Sequence, residues 1–271
     1  MVGSVNTNAG SMTALRHLNS TNHDLSKTQE KIASGKKINS PKDDAATLAI
    51  AQQMLGEISG GSAVRSGLDN AGAIVDVATE AGRMVSDTLV EMKALAVQAS
   101  QEGLDQASRD ALNAEFNALR QQADGFVEAA DFGGTNLVAA GAQSLNVLSN
   151  EEGDRFTVAA QDFSGVGLGI DTLALDSSAN AGAALSALDA AIVNSSSKLA
   201  DLGASAKRIE SQGDFLGKLS DTLTAGVGDL VDADLAAEDA ALAAGQVKQA
   251  LGGTALGISN AAPKRVLALF Q

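Results

Sequence analysis

The sequence predicts a mainly α-helical fold in which long antiparallel helices form a coiled-coil bundle, together with a small β-hairpin. Three observations predict it. Only two of the 271 residues are proline, so residues that break helices are scarce. Aromatic residues make up 3% of the chain although hydrophobic residues reach 45%, which favours helices that pack through small and aliphatic side chains. Apolar residues also recur at alternating steps of three and four over long stretches, as in a coiled-coil seam.

The first predicted helix carries a weak apolar stripe and ends at a joint. The stripe consists of Val5, Met12, Leu18, Leu25 and Ile32. In the joint, at residues 34–42, Ser40 is typical of an N-cap and Pro41 of a first helical residue. Asp43 and Asp44 follow in the first turn of the next helix, where the helix dipole favours acidic side chains.

Three stronger seams predict the long helices in the middle of the chain. The first runs from Val64 to Ala99 with ten of eleven positions apolar, and Gly60 and Gly61 are expected to loosen the helix before it. A shorter seam runs from Leu112 to Ala130. The longest runs from Leu185 to Leu230, with eleven of fourteen positions apolar. A pattern sustained over so many heptads predicts long helices that pack side by side.

The helical period disappears between residues 131 and 184. Residues 144–149 and 155–160 alternate with period two, and a turn cluster with Gly153 separates them, which predicts a β-hairpin at about residues 143–161. Gly165, Gly167 and Gly169 predict an irregular loop after it. A second weak stripe follows near the C-terminus, at Leu235, Leu242, Leu251 and Ile258.

Charge is distributed unevenly and suggests two domains. The formal net charge is −14, yet residues 1–42 carry +4 and residues 240–271 carry +3, so the residues between them carry −21. The basic ends are therefore expected to belong together. We predict a terminal coiled-coil domain from residues 1–40 and 231–271, and a helical domain from residues 41–230 that includes the hairpin. An acidic chain also argues against nucleic acid as a partner, because phosphate binding needs clustered cations.

Residues that carry chemistry are scarce. The chain has no cysteine, and its two histidines, His17 and His23, are interpreted as polar surface or interface residues rather than metal ligands. No nucleophile has a plausible base near it, so we expect no enzyme activity, no catalytic residue, no metal and no cofactor. No signal-peptide pattern and no apolar run long enough to span a membrane is found, so export by a route without a cleaved leader is expected.

Motifs at both ends resemble those of one family. Residues 25–51, LSKTQEKIASGKKINSPKDDAATLAIA, strongly resemble the N-terminal signature of bacterial flagellins. Residues 232–238, 255–260 and 266–270 are similar to the closing helix of that family, and residues 92–99 and 132–137 to its central helix and the loop before its hairpin. Lys37, Pro41 and the final Gln271 depart from the usual pattern.

The resemblance implies a structural subunit that polymerises into the flagellar filament for swimming motility. It implies that the two ends pair as a coiled coil in the filament core, where the stripes above, continued by Leu267 and Leu269, would form the polymerisation core. About two dozen residues separate Ala160 from Leu185, so a short form without outer domains is expected. A hook–filament junction protein and another secreted coiled-coil interaction protein are the alternatives.

The resemblance also implies a location and partners. These are the extracellular filament, type III export, an export chaperone, the cap and hook-junction proteins, and other copies of this chain or other flagellins. Flagellins that Toll-like receptor 5 recognises carry Arg at the position of Glu91, whereas Glu115 resembles part of the epitope that this receptor binds. Weak or no recognition of this chain by Toll-like receptor 5 is therefore expected. Hydroxyls near the hairpin are candidate sites for O-linked glycans: Ser164, Thr172, Ser177 and Ser178.

Overall fold

The computed structural model describes residues 7–267, and their side chains as far as Ala262. The described part is mainly helical with one two-stranded antiparallel sheet, so the predicted fold class is confirmed. Its elements are, in chain order, α1 (Ala9–Ser34), α2 (Pro41–Ala99), α3 (Gln106–Ala129), β1 (Leu145–Leu148), β2 (Arg155–Val158), α4 (Gly165–Leu168), α5 (Ser178–Val231) and α6 (Leu235–Leu267). No helix in this part of the chain combines the length and the apolarity that a membrane crossing requires.

The chain divides into two compact units. The terminal unit comprises Met1–Gly56 and Thr222–Gln271, and the body unit comprises Glu57–Asp221. The predicted domain boundaries, at residues 40/41 and 230/231, lie at the start of α2 and at the end of α5. The terminal unit therefore also contains the first part of α2 and the last part of α5, which were predicted to belong to the other domain. It holds nine basic and nine acidic residues, and the body unit therefore carries the whole net charge of −14.

The body unit is built on the predicted seams. Every position of the seam from Val64 to Ala99 is buried, and the positions of the seam in α5 that belong to this unit, from Leu185 to Ser220, are buried or half-buried. Gly82 interrupts the apolar pattern because a Cβ there would lie 2.9 Å from Leu199 Cδ2 and from Phe163 Cζ. The glycine thus lets large apolar side chains from α5 and from the loop before α4 pack against α2.

The predicted hairpin is present, and it packs on the body helices. Its register pairs Leu145 with Val158 and Val147 with Phe156. The helix α2 continues through Gly60 and Gly61, so the expected loosening is wrong. A Cβ on Gly60 would lie 3.1 Å from Glu151 Cβ, so this glycine makes room for the hairpin turn.

The region after the hairpin contains a short helix rather than an irregular loop. Ser164 caps α4 by accepting a hydrogen bond from Gly167 N at 3.1 Å, and Gly169 ends it with a φ of 71°. A Cβ on Gly167 would lie 2.3 Å from Asp162 Cγ. The glycines predicted to form an irregular loop therefore form a tight, capped turn.

The joint before α2 differs from the prediction. Ser40 does not cap the long helix; its backbone N–H and its hydroxyl both donate to Asp43 Oδ2 at 3.0 Å. Asp44 lies within the range of α2 but has φ −158° and ψ 104°, outside the helical range, so a kink there separates residues 41–43 from the long part of the helix. Its Oδ1 accepts from the N–H groups of Ala46 and Thr47 at 3.0 and 3.1 Å. Asp44 is therefore the N-cap, because a carboxylate that accepts two amide hydrogen bonds satisfies more of the first turn than Ser40 could.

Candidate functional site

The terminal unit is organised around an antiparallel pair of helices, α1 and α6. Gly10 of α1 lies against Ser259, Leu18 against Gly252, and Leu25 against Gly245. Steps of eight and then seven residues toward the C-terminus of α1 are therefore matched by two steps of seven residues toward the N-terminus of α6. The two ends of the sequence thus form one coiled coil.

Two glycines let the helices of this pair approach closely. A Cβ on Gly245 would lie 2.7 Å from Leu25 Cδ1, and a Cβ on Gly252 would lie 3.2 Å from Leu18 Cδ1. The glycines are seven residues apart, as are the leucines. Each leucine therefore packs against a position of α6 that has no side chain.

Polar contacts support the same register along the pair. Asn8 Nδ2 donates to Ser259 O at 2.7 Å, and Ser11 Oγ donates to Asn260 Oδ1 at 2.6 Å. Farther along, Gln249 Nε2 donates to Asn22 Oδ1 at 2.8 Å.

An ion pair marks the other end of the helix pair. Lys31 Nζ lies 2.8 Å from Glu238 Oε1, and the Glu238 side chain is only 17% exposed. Contacts between unlike side chains along the whole pair favour one register over its neighbours.

The pair leaves a large apolar surface uncovered. No residue of α1 is buried, and its seam positions are at most half-buried. On α6, Val247, Leu251 and Ile258 are 60%, 62% and 74% exposed. At 100° per residue these three share one stripe, roughly 130° around the helix from the two seam glycines. We call these three residues the outward stripe.

The predicted polymerisation residues fall into three groups. Those in the seam of the pair are Leu18, Leu25, Ile32 and Leu242, all half-buried. Those exposed to solvent are Met12, Leu235, Leu251 and Ile258. Val5 and Leu269 lie outside the described residues, as does the side chain of Leu267.

Sequence reasoning missed four residues of this unit. Gly245 and Gly252 complete the seam, and Val247 and Leu15 add to the exposed apolar surface. A usable signal was the spacing of the two glycines, which repeats the seven-residue spacing of Leu18 and Leu25.

The joint between α1 and α2 is hydrogen-bonded to the link between α5 and α6. Lys36 and Asp232 form an isolated antiparallel bridge. Next to it, Lys37 N donates to Val231 O at 2.8 Å, and Ala233 N donates to Gly35 O at 2.9 Å. Backbone contacts therefore hold together the two segments that lead into the coiled coil.

Carboxylates cap the helices that begin at these links. The Ser40 hydroxyl, with the N–H groups of Asn39 and Ser40, holds the pKa of Asp43 below its ordinary value of 3.8. The Thr47 hydroxyl and N–H likewise lower the pKa of Asp44. On the other link, Asp234 Oδ1 accepts from the N–H groups of Ala236 and Ala237, both at 3.1 Å, and so caps α6.

Three of the four candidate glycan acceptors make structural hydrogen bonds. Ser164 caps α4, Ser177 Oγ accepts from Asn180 N at 3.1 Å, and Ser178 Oγ donates to Ser100 O at 2.9 Å. Thr172 is exposed.

The other candidate residues lie on the surface. Both Glu91 and Glu115, singled out for receptor recognition, are exposed, as are His17 and His23. Among the described residues, no group of three or more His, Asp or Glu side chains is arranged to hold a metal ion.

Comparison with known proteins shows similarity over both ends and over the full length. A family model described as the bacterial flagellin N-terminal helical region matches residues 5–143, and one described as the bacterial flagellin C-terminal helical region matches residues 185–270. Flagellin FljK of Caulobacter vibrioides is 40% identical, with 100% of this chain and 99% of the relative covered. A flagellin of Brucella melitensis is 33% identical, with 100% of both chains covered.

Two solved structures share the fold. The Bacillus cereus flagellin matches with a TM-score of 0.51 at 24% identity, over 55% of this chain and 88% of that chain. A putative flagellar hook-associated protein from Vibrio parahaemolyticus matches with a TM-score of 0.59 at 14% identity, over 70% of this chain and 100% of that chain. At these identities the likeness concerns the fold alone.

Proposed function

The chain belongs to the bacterial flagellin family, and from this we propose that it is the structural subunit of a flagellar filament, polymerising for swimming motility. The observation that carries the proposal is the outward stripe of Val247, Leu251 and Ile258 on α6. The seam with α1 leaves these side chains uncovered. Contiguous exposed apolar side chains are typical of an interface, and a filament subunit supplies the occupant, which is another copy of the chain.

Charge supports the assignment of the terminal unit to assembly. That unit has no net charge, so several copies can pack together without net repulsion, whereas the body unit carries −14. Repulsion between bodies opposes association and is screened by salt. Polymerisation should therefore proceed more readily as the salt concentration rises.

The finer expectations on location and partners follow from the same membership. We propose that the filament is extracellular and that export uses the flagellar type III apparatus. An export chaperone, the cap and the hook-junction proteins would bind the chain before or during assembly. Because the terminal helices expose apolar side chains, a chaperone that covers them would keep the free subunit soluble.

Assembly of the purified protein tests the function directly. Wild-type protein brought to high salt should form long filaments in electron micrographs, whereas Leu251→Glu with Ile258→Glu should not, because both changes bury a carboxylate in an apolar contact. The control is Gln246→Glu, which adds one negative charge elsewhere on the exposed surface of α6, and the single variant Leu251→Glu is its match in charge. Short or closed wild-type assemblies would overturn the filament function. Filaments of the double variant would overturn only the surface.

We propose that Toll-like receptor 5 senses this chain weakly or not at all, because Glu91 presents an exposed negative charge where recognised members carry Arg. Reporter cells exposed to the wild-type protein should respond weakly, and Glu91→Arg should raise the response. A full response to the wild-type protein would contradict the proposal.

We propose that Thr172 is the one of the four candidate acceptors that carries an O-linked glycan. A glycan on Ser164, Ser177 or Ser178 would disturb a structural hydrogen bond. The intact mass of protein isolated from its own filaments should exceed that of the bare chain, and Thr172→Ala should remove the difference. A mass equal to that of the bare chain ends the proposal.

A further inference from the structure

The methionines of this chain differ widely in exposure. The chain has five, of which the structure describes Met12, Met54, Met84 and Met92. Met92 is fully buried in the body unit, and Met54 is half-buried, with its methyl group against Gly226. Met84 is 43% exposed on the body unit, and Met12 is 59% exposed on the terminal unit. Met12 is thus the most exposed of the described methionines.

The position of Met12 on α1 places it outside the seam. Around the helix it lies roughly 120–140° from Leu18 and Leu25, the residues that pack on α6. Its neighbour Ser11 makes the hydrogen bond to Asn260, and across the pair at the same level Ile258 is the most exposed residue of the outward stripe. This end of the pair therefore exposes two large apolar side chains.

We propose that Met12 is an oxidation-sensitive site of the assembly surface, so that oxidation of its thioether by a hydroperoxide prevents the free subunit from polymerising. The inference rests on the proposed function. The sulfur attacks one peroxide oxygen, the O–O bond breaks, the sulfur is oxidised by two electrons to the sulfoxide, and hydrogen peroxide is reduced to water. The transferred oxygen stays on the sulfur.

The product changes the chemistry of the contact. A thioether is flexible and apolar and packs well in an interface, whereas a sulfoxide is polar and a strong hydrogen-bond acceptor. If subunit contacts bury Met12, its sulfoxide loses hydration without gaining a donor, which disfavours association. The same burial would shield Met12 once the filament has formed.

Limited treatment with hydrogen peroxide tests the inference. The monomer is oxidised, excess peroxide is removed, the sulfoxide at each methionine is measured by peptide mass spectrometry, and the concentration of monomer left after assembly is determined. Oxidation of the wild-type protein should raise that concentration by about tenfold or more, which corresponds to about 1.4 kcal/mol per subunit. Met12→Leu should assemble equally well before and after peroxide, while Met84→Leu should remain as sensitive as wild type.

A second measurement does not depend on the Leu variant. In preformed wild-type filaments the sulfoxide at Met12 should form at least about tenfold more slowly than in the monomer, as expected for a side chain that becomes buried. Unchanged oxidation of Met12 in filaments, or peroxide sensitivity that persists in Met12→Leu, overturns the inference and leaves the filament function standing. Failure of untreated wild-type protein to form filaments at any salt concentration overturns the function itself.

Discussion

Leu25 of α1 packs directly onto the backbone of Gly245 in α6, where a Cβ would lie 2.7 Å from Leu25 Cδ1. Because the same arrangement recurs one heptad away between Leu18 and Gly252, the seam of the terminal unit depends on positions that have no side chain. Such a seam brings the two helix backbones closer than a seam of facing leucines would.

Gly245→Val should weaken the helix pair and hinder filament formation. The branched side chain must displace Leu25, and overpacking of this kind costs about 1–3 kcal/mol. In thermal unfolding followed by far-UV circular dichroism, the variant should lose helicity at a lower temperature than the wild-type protein. Its assembly into filaments should need a higher protein concentration.

The matched control for this change is Gly253→Val, in the same helix. It imposes the same difference in helix propensity, but a Cβ at Gly253 meets nothing within 4 Å among the described residues. The control variant should therefore keep α1 and α6 paired. Equal loss of helicity in both variants would show that propensity, rather than the seam, is responsible.

The body unit could be predicted closely from the sequence. Its seam from Val64 to Ala99 consists of apolar side chains that bury one another within a single chain, so the heptad pattern alone identifies the buried positions. Even its exception, Gly82, lies in the seam, because its missing side chain is replaced by Leu199 and Phe163 from other elements.

The terminal unit could be predicted only in part, for physical reasons. Leu251 and Ile258 are apolar, so the pattern includes them, yet the structure places them on the outward side of α6. Gly245 and Gly252 contribute no hydrophobicity, so no pattern of apolar residues includes them. The N-cap of α2 was predicted at Ser40 instead of Asp44 for a similar reason. The side chains of Ser40, Asp43 and Asp44 can all cap a helix, and which of them does so depends on their hydrogen bonds in the folded chain.

Arg109 should be essential to the stability of the body unit. It is buried, and its guanidinium donates to Ala99 O, and to Gln101 O and Leu104 O at 3.3 Å, so it satisfies carbonyls where α2 ends. Arg109→Lys loses the planar fork of donors and should lower the free energy of unfolding by about 1.5–3 kcal/mol. Chemical denaturation followed by circular dichroism measures the loss.

Arg83→Lys provides the comparison for Arg109. The Arg83 side chain is exposed and lies 3.9 Å from Glu80, so the lysine should change stability by less than about 0.5 kcal/mol. If both variants were equally stable, the contacts of Arg109 with the end of α2 would not matter in solution.

Ser195→Ala should stabilise the body unit. Ser195 is fully buried in the seam of α5, and its hydroxyl has no hydrogen-bond partner among the described residues. An unsatisfied buried hydroxyl costs about 1–3 kcal/mol, so its removal should raise the free energy of unfolding by about 1 kcal/mol or more. The exposed neighbour Ser196, whose hydroxyl donates to Ile192 O, is the control, and Ser196→Ala should have little effect. Destabilisation by Ser195→Ala would mean that the hydroxyl is satisfied.

Acid should weaken the joint through Asp43 and Asp44. Hydrogen bonds from Ser40 and Thr47, and from nearby N–H groups, lower the pKa of both carboxyls from 3.8 in the folded chain. In the pH range between the lowered values and about 3.8 the unfolded chain binds more protons, so stability rises with pH there. The contribution of both carboxylates is complete above the unfolded pKa and is lost as the pH falls through the folded ones.

Variants of the joint separate this titration from acid effects elsewhere. Asp43→Asn with Asp44→Asn should be less stable than wild type at neutral pH, and its stability should fall less steeply below pH 3.8. Unfolding by denaturant at a series of pH values, followed by circular dichroism, gives the slopes. The control is Asp105→Asn at the N-cap of α3, where Ser108 lowers the pKa of the carboxyl: it should flatten the acid response of the body unit and leave the joint unchanged. A steep acid loss that persists in the joint variant would place the responsible carboxyls elsewhere.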